Sequence, residues 1–249
     1  CHHRLEQVVL PWEINPLRLD VLHSPDFIPP FHIRARSVIT IHDLVFLLYP
    51  NFLDKDAARY YGQIDQAVLH ADGIIAVSGS TKSDIIRLLG VPEDKITVIY
   101  EAASPAFRPL RTPEVAGHIR ERFGIEPGFI LFVSTIEPRK NLPALLRAYR
   151  ELLDKYHVQV PLVIAGQKGW LFEEVFSLVS SLKLDNEVRF LGRVSTQELF
   201  WLYNTARVLV QPSFYEGFGL TQLEAMACGT PVIVSNVSAL PEVVGDAGL

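Results

Sequence analysis

Gln211-Pro-Ser-Phe-Tyr-Glu-Gly-Phe-Gly-Leu-Thr-Gln-Leu-Glu-Ala-Met-Ala-Cys-Gly-Thr-Pro-Val232 is the stretch whose reading decides the fold. A Val-rich run, Val208 to Val210, ends just before it, and a loop with two glycines follows. Helix-forming residues then run from Leu220 to Cys228, and a second apolar run starts at Pro231. The order is strand, loop, helix, strand. A helix that opens out of such a loop presents unpaired backbone N–H groups and the positive end of its dipole, which suits a phosphate. Gly217 and Gly219 let an anion approach the backbone closely. Glu216 precedes the loop and Glu224 lies eight positions later; in a continuous helix they would be about 12 Å apart. Two carboxylates flanking a phosphate site suit a ligand with hydroxyls on both sides of a diphosphate, the layout of a sugar nucleotide. Taken singly, each Glu also reads as an ordinary solvated acid. Leu220, Leu223 and Ala227 are the expected apolar face of the helix.

The pattern extends in both directions. Short Val- and Ile-rich runs recur at Val38 to Ile41, Gly73 to Val77, Ile96 to Ile99, Phe129 to Val133, Leu162 to Ala165, Val188 to Leu191 and Val232 to Val234. They read as buried strands. Between most of them lie helix-period stretches, such as Leu142, Leu145, Leu146, Tyr149, Leu152 and Leu153. This alternation predicts an α/β chain with parallel sheets. Ser195 with Glu198 forms a capping box, Ser78 caps the helix ending near Gly90, and Gly229 stands where a C-terminal glycine belongs. Asp54-Lys-Asp56 opens a predicted helix and reads as capping. Ser104 to Pro113 holds three prolines in ten residues and reads as a linker. The expected domains are residues 1–108 and 109–249.

Composition narrows the chemistry. Of 249 residues, 23 are Lys or Arg and 28 Asp or Glu, a formal balance of −5. The basic residues are scattered, so there is no electrostatic footprint for nucleic acid. Cys1 and Cys228 make neither a disulfide framework nor a zinc site, which fits a reducing compartment and a cytoplasmic location. No apolar run approaches the roughly 20 residues of a membrane span. The Gly217-Phe-Gly219 turn lacks the third glycine of a dinucleotide fingerprint, with Gln222 in its place, and Gly79-Ser-Thr-Lys82 lacks P-loop spacing. No His and Cys cluster has metal-ligand spacing, so no metal site is expected.

The segment from Glu216 to Ile233 closely resembles the signature of family 4 of the retaining, GT-B-fold glycosyltransferases, including its Glu, seven residues, Glu spacing. The resemblance implies that Glu224 binds the nucleotide ribose and Glu216 the donor sugar. It also implies that the backbone at Phe218, Gly219 and Leu220 meets the distal phosphate and sugar, with Gly217 beside them in the substrate-binding set. Ser134-Thr-Ile-Glu-Pro-Arg-Lys-Asn-Leu142 resembles the family's phosphate-binding loop, with Lys140 pairing with the diphosphate. Many relatives carry another Arg early in that loop, where this chain has Thr135. Arg139 either replaces its charge or is a solvated helix entrance. Ile39-Thr-Ile-His-Asp43 puts His42 at a strand end, where α/β sheets bind ligands. It is similar to the family's His near the donor sugar and reaction centre, which implies a catalytic role, while a lone His there also reads as a packed, hydrogen-bonded residue. Val188-Arg-Phe-Leu-Gly-Arg-Val194 resembles the strand and turn that meet the base, through Val194.

The resemblance implies a fold of two Rossmann-like domains with parallel sheets facing across a cleft. The N-terminal domain and the C-terminal end are expected to be incomplete, since Met226 is the only methionine and relatives have an earlier strand and a closing helix. The implied reaction is metal-independent, cofactor-free transfer of a hexose from a nucleoside diphosphate sugar to a hydroxyl, with retention. Fixed cations would stabilise the leaving diphosphate. The EPRKN loop and the His42 to Pro50 segment look like those of bacterial mannosyltransferases, which implies GDP-mannose as donor and a role in polysaccharide biosynthesis. Partners would be the nucleotide sugar and a glycan or lipid-linked acceptor, with peripheral contact at the inner membrane face. The alternative is a non-catalytic nucleotide-sugar-binding module.

Overall fold

The computed structural model describes residues 6–50, 61–169 and 172–249. The Asp54-Lys-Asp56 cap therefore lies outside the described residues. Packing divides the chain into two compact units, Cys1–Glu101 and Ala102–Leu249. The expected boundary after residue 108 falls a little later. Residues 102–108 go with the second unit because Phe107 is buried in its core and the Arg108 carbonyl accepts a bond from Asn204 Nδ2 at 3.1 Å.

The first unit runs α1 (Glu6–Ile14), β1 (Val21–Ser24), β2 (Arg36–Ile41), α2 (Val45–Leu48), α3 (Ile64–His70), β3 (Gly73–Ala76), α4 (Gly79–Leu89) and β4 (Ile96–Val98). Its four strands pair in parallel in the order β1-β2-β3-β4. Ile39, Ile41, Ile74 and Ala76 are buried with Ala67 of α3 and Ile85 of α4, so these strands read as apolar runs. The strand β1 lies outside the runs expected from sequence. It is an edge strand whose four side chains are exposed or half-buried, so burial imposes no apolar pattern on it. Ser78 caps α4 as expected, its hydroxyl accepting from Thr81 N at 2.9 Å, and Gly90 ends it at φ +64°.

The second unit contains α5 (Pro113–Phe123), β5 (Ile130–Val133), α6 (Leu142–Tyr156), β6 (Leu162–Ala165), α7 (Glu173–Ser181), β7 (Val188–Gly192), α8 (Thr196–Thr205), β8 (Val208–Gln211), α9 (Leu220–Ala227), β9 (Val232–Val234) and α10 (Leu240–Val244). The sheet is parallel, in the order β7-β6-β5-β8-β9. Alternate residues build a core on each face: Leu131, Val163, Ala165 and Leu209 on one, Ile130, Phe132, Leu162 and Ile164 on the other. Helix α6 buries Leu142, Leu145, Leu146 and Tyr149, as its spacing predicts. Ser195 and Glu198 form the expected capping box at α8.

The expected apolar face of α9 is corrected. Gln222 and Ala225 are buried and Leu220 is exposed. The helix packs on β8 and β9, and the small Ala225 allows the close approach, so it sets the inward face in place of Leu220. Among the described residues, no helix is long and apolar enough to cross a membrane.

Candidate active site at the switch point of the second sheet

Strand order reverses between β5 and β8, which are neighbours although two strands intervene in sequence. In open parallel sheets the loops leaving the carboxyl ends of two such strands diverge and form a crevice for ligands. The loop after β5 carries Thr135 to Asn141, and the loop after β8 carries Pro212 to Gly219, so the two motifs read from sequence share this crevice.

One backbone and one side-chain bond tie the loops together: Phe214 N donates to the Arg139 carbonyl at 2.9 Å, and the Asn141 side-chain Nδ2 donates to the Pro212 carbonyl at 3.0 Å. A third loop presses on the first. Gly166 follows β6 at φ +153°, and a Cβ there would stand 1.7 Å from the Ser134 carbonyl oxygen. Only glycine allows this approach.

Four charges meet where the loops join. Lys140 Nζ donates to both oxygens of Glu216, at 2.7 and 2.8 Å. Arg139 donates through Nη1 to Glu216 at 3.1 Å and to the Tyr215 carbonyl at 3.0 Å. Its Nε bonds Glu137 at 3.1 Å and its Nη2 lies 2.9 Å from the same carboxylate. Ser213 Oγ donates to Glu216 at 2.7 Å, and Glu216 N donates to Ser238 Oγ at 2.9 Å. Two carboxylates and two cations thus balance in a largely buried cluster. Burial pushes the Glu216 carboxyl up, but Lys140 and Arg139 beside it overcome this and hold it below the usual carboxylate range.

The turn that opens α9 comes next in the chain. Gly217, Phe218 and Gly219 are buried. Gly219 stands at the N-cap with φ +130° and supplies no side-chain cap, so the first N–H groups of α9 face the crevice uncapped by a side chain. Gln222 Oε1 is buried without a hydrogen-bond partner among the described residues and crowds the place of a Gly219 Cβ at 3.0 Å. On α9 itself, Glu224 accepts from the Tyr203 hydroxyl at 3.0 Å. Burial raises its carboxyl above the ordinary value, and the Tyr203 bond only partly offsets this.

The structure therefore brings together Arg139, Lys140, Glu216, Gly217, Phe218, Gly219 and Leu220, with Glu224 on the helix they lead into. Val194 lies two residues beyond β7, half-buried against the core. His42 belongs to the first unit, immediately after β2, where it bonds Glu101 and the Pro25 carbonyl. Glu137, Ser213, Ser238, Gly166 and Glu101 do not stand out in the sequence. The first two lie inside the quoted motifs, three residues or fewer from a candidate; the other three carry no local signal. Among the described residues, no group of three or more His, Cys, Asp and Glu is placed to hold a metal ion.

Comparison with known proteins agrees with this fold. The sequence profile of the family "Glycosyl transferases group 1" matches residues 117–248, and that of "Glycosyltransferase Family 4" matches residues 4–107. The chain is 39% identical over 240 residues to O-antigen chain mannosyltransferase B of Escherichia coli, covering 96% of this chain and 62% of that protein. It is 30% identical over 215 residues to O-antigen chain mannosyltransferase RfbU of Salmonella typhimurium, covering 86% and 56%. The chain thus spans about three fifths of the length of these relatives. Among solved structures, Anabaena HepE in complex with UDP and glucose superposes with a TM-score of 0.75 at 22% identity, over 97% of this chain and 67% of that one. WaaG, a glycosyltransferase involved in lipopolysaccharide biosynthesis, superposes with a TM-score of 0.75 at 16% identity, over 100% and 70%. The chain has the GT-B fold and belongs to the group 1, family 4 glycosyltransferases.

Proposed function

We propose that this chain carries the donor site of a retaining hexosyltransferase that takes mannose from GDP-mannose and passes it to a hydroxyl of a glycan or lipid-linked acceptor. The observation that carries the reading is the meeting of the β5 and β8 loops, where Lys140 bonds the buried Glu216 three residues before the glycine that opens α9 without a side-chain cap. The cluster is neutral as it stands, but Lys140 has three N–H donors and spends two on Glu216, leaving one for a phosphate oxygen. The first N–H groups of α9 receive the same anion. Sugar hydroxyls can pair with the orphaned Gln222 Oε1 and, in exchange for the Ser213 hydroxyl, with Glu216, whose four acceptor sites are otherwise taken by Lys140, Arg139 and Ser213; ribose hydroxyls can pair with Glu224. Mannose is favoured because the two curated relatives described above are mannosyltransferases by name.

In this reading the bond between the anomeric carbon and the diphosphate breaks with its electron pair leaving on the phosphate oxygen. The acceptor oxygen forms its bond on the same face, and its proton passes to that phosphate oxygen. Lys140 and the α9 N–H groups stabilise the charge that develops on the departing group, and neither a metal nor a cofactor takes part. Glu216, fixed by Lys140, Arg139 and Ser213, orients the sugar so that little ordering remains for the transition state.

Turnover of GDP-mannose by the full-length protein, with the anomeric configuration of the product read by NMR, tests this. An α-linked product is expected from the α-linked donor. A β-linked product contradicts retention, and binding without hydrolysis or transfer points to a non-catalytic binding module.

A further inference from the structure

His42 is held in a way that its neighbours in sequence do not reveal. Its Nδ1 lies 3.0 Å from Glu101 Oε1 and its Nε2 lies 3.0 Å from the Pro25 carbonyl oxygen. A carbonyl oxygen only accepts, and an ionised carboxylate only accepts. A neutral imidazole has one N–H and satisfies one of these two partners; an imidazolium has two and satisfies both. A neutral ring that donates to Glu101 alone leaves two acceptors, Nε2 and the Pro25 carbonyl oxygen, facing each other at 3.0 Å.

The backbone shows that the arrangement is built in. Ile99 N donates to the Ala76 carbonyl at 2.9 Å, which prolongs the β3–β4 pairing and brings Glu101 to the carboxyl edge of the sheet, beside the end of β2. The His42 carbonyl accepts from Thr81 Oγ1 at 3.4 Å, in the first turn of α4, and Ser78 fixes that turn. Ring and main chain are thus held from three separate segments.

We propose that Glu101 is a positioning residue: with the Pro25 carbonyl it commits both ring nitrogens of His42 as donors, so that His42 serves as a fixed imidazolium and not as a general base. The proposal concerns the carboxyl edge of the first sheet, and it rests on the donor-transfer reading only in that the second test below reads turnover.

The charged surroundings agree with the geometry. Glu101 and Asp26 both favour the cation, and burial opposes it; the hydrogen bond to Glu101 is the largest influence, and the His42 pKa is raised to about 9. Asp43, the next residue, accepts from Val45 N at 3.1 Å, and Lys82 of α4 pairs with Glu93 at 3.0 Å.

Two measurements on the full-length protein test the proposal. The first is a titration of the His42 ring nitrogens by NMR, which does not depend on turnover. The wild type is expected to titrate near pH 9, and Glu101→Gln is expected to fall toward the ordinary value. Titration near 6.5 in the wild type, or a midpoint that Glu101→Gln does not move, overturns the proposal. The second is the pH profile of kcat with GDP-mannose. At pH 8 a group of pKa about 9 is still largely protonated, and Glu101→Gln withdraws the largest influence that holds the proton, so kcat should fall several-fold there. At pH 6, where His42 is protonated in both, most of that loss should be restored with KM little changed. A loss that is the same at pH 6 and pH 8 signifies a merely structural role and contradicts the proposal. If the wild type turns over no sugar nucleotide, the donor-transfer reading fails while the NMR titration still decides the state of His42.

Discussion

Glu216 is bonded by Lys140, Arg139 and Ser213, so its environment couples the stability of the second unit to the proposed site. Lys140 and Arg139 are both largely buried against it. Removing the carboxylate leaves two buried cations short of a partner, a loss that typically costs about 3–5 kcal/mol. Glu216→Ala should therefore lower the denaturation midpoint as well as reduce kcat about 100-fold or more; unchanged turnover at saturating donor would sink its assigned role. Because its carboxyl is held below the ordinary value, the stabilisation it provides is present above about pH 4.5 and is lost as pH falls through the depressed folded value. Glu224 has the opposite sign. Its carboxyl is raised by burial, so ionisation costs the folded state and the cost is relieved as pH falls toward the raised value. Glu224→Gln should keep or gain stability while weakening donor binding, a combination that calorimetry and urea denaturation on the same variant will check. From sequence, both glutamates were legible because they sit at fixed spacing in one segment. Glu137 and Ser238 were not, because their partners are set by how loops meet.

At the scale of elements, the strands that burial requires to be apolar were legible, and the edge strand β1 was not. Caps were legible where the chemistry is local: Ser195 and Glu198 sit three residues apart, and Ser195→Ala should cost about 1 kcal/mol, measured as a shift in the urea midpoint. A shift under a few tenths would show that the cap contributes little. The inward face of α9 was not legible, because the distance from helix to strand sets it and the apolar pattern does not; Ala225 governs the contact. Gly166 joins element to site. A side chain there meets the Ser134 carbonyl, so Gly166→Ala must displace either the β6 or the β5 loop and carry Lys140 with it. Weakened donor binding is expected together with a destabilisation of more than about 3 kcal/mol. A variant that binds donor normally would show that the loops are not coupled through this contact.

For the whole molecule, two parallel sheets supply two carboxyl edges, and each collects charged residues from loops distant in sequence: His42 with Glu101 on the first, Lys140 with Glu216 on the second. The alternation of strands and helices made this architecture readable, and the strand order β7-β6-β5-β8-β9 explains why the second edge opens at the pair of motifs. The central claim is that the crevice between the β5 and β8 loops holds a nucleoside diphosphate sugar through Lys140. Calorimetric titration of the wild type and Lys140→Met with GDP-mannose, UDP-glucose and GDP alone addresses it most directly. Saturable binding of GDP-mannose by the wild type is expected, weakened at least tenfold in Lys140→Met; equal affinity in both, or no heat with any of the three ligands, would contradict it.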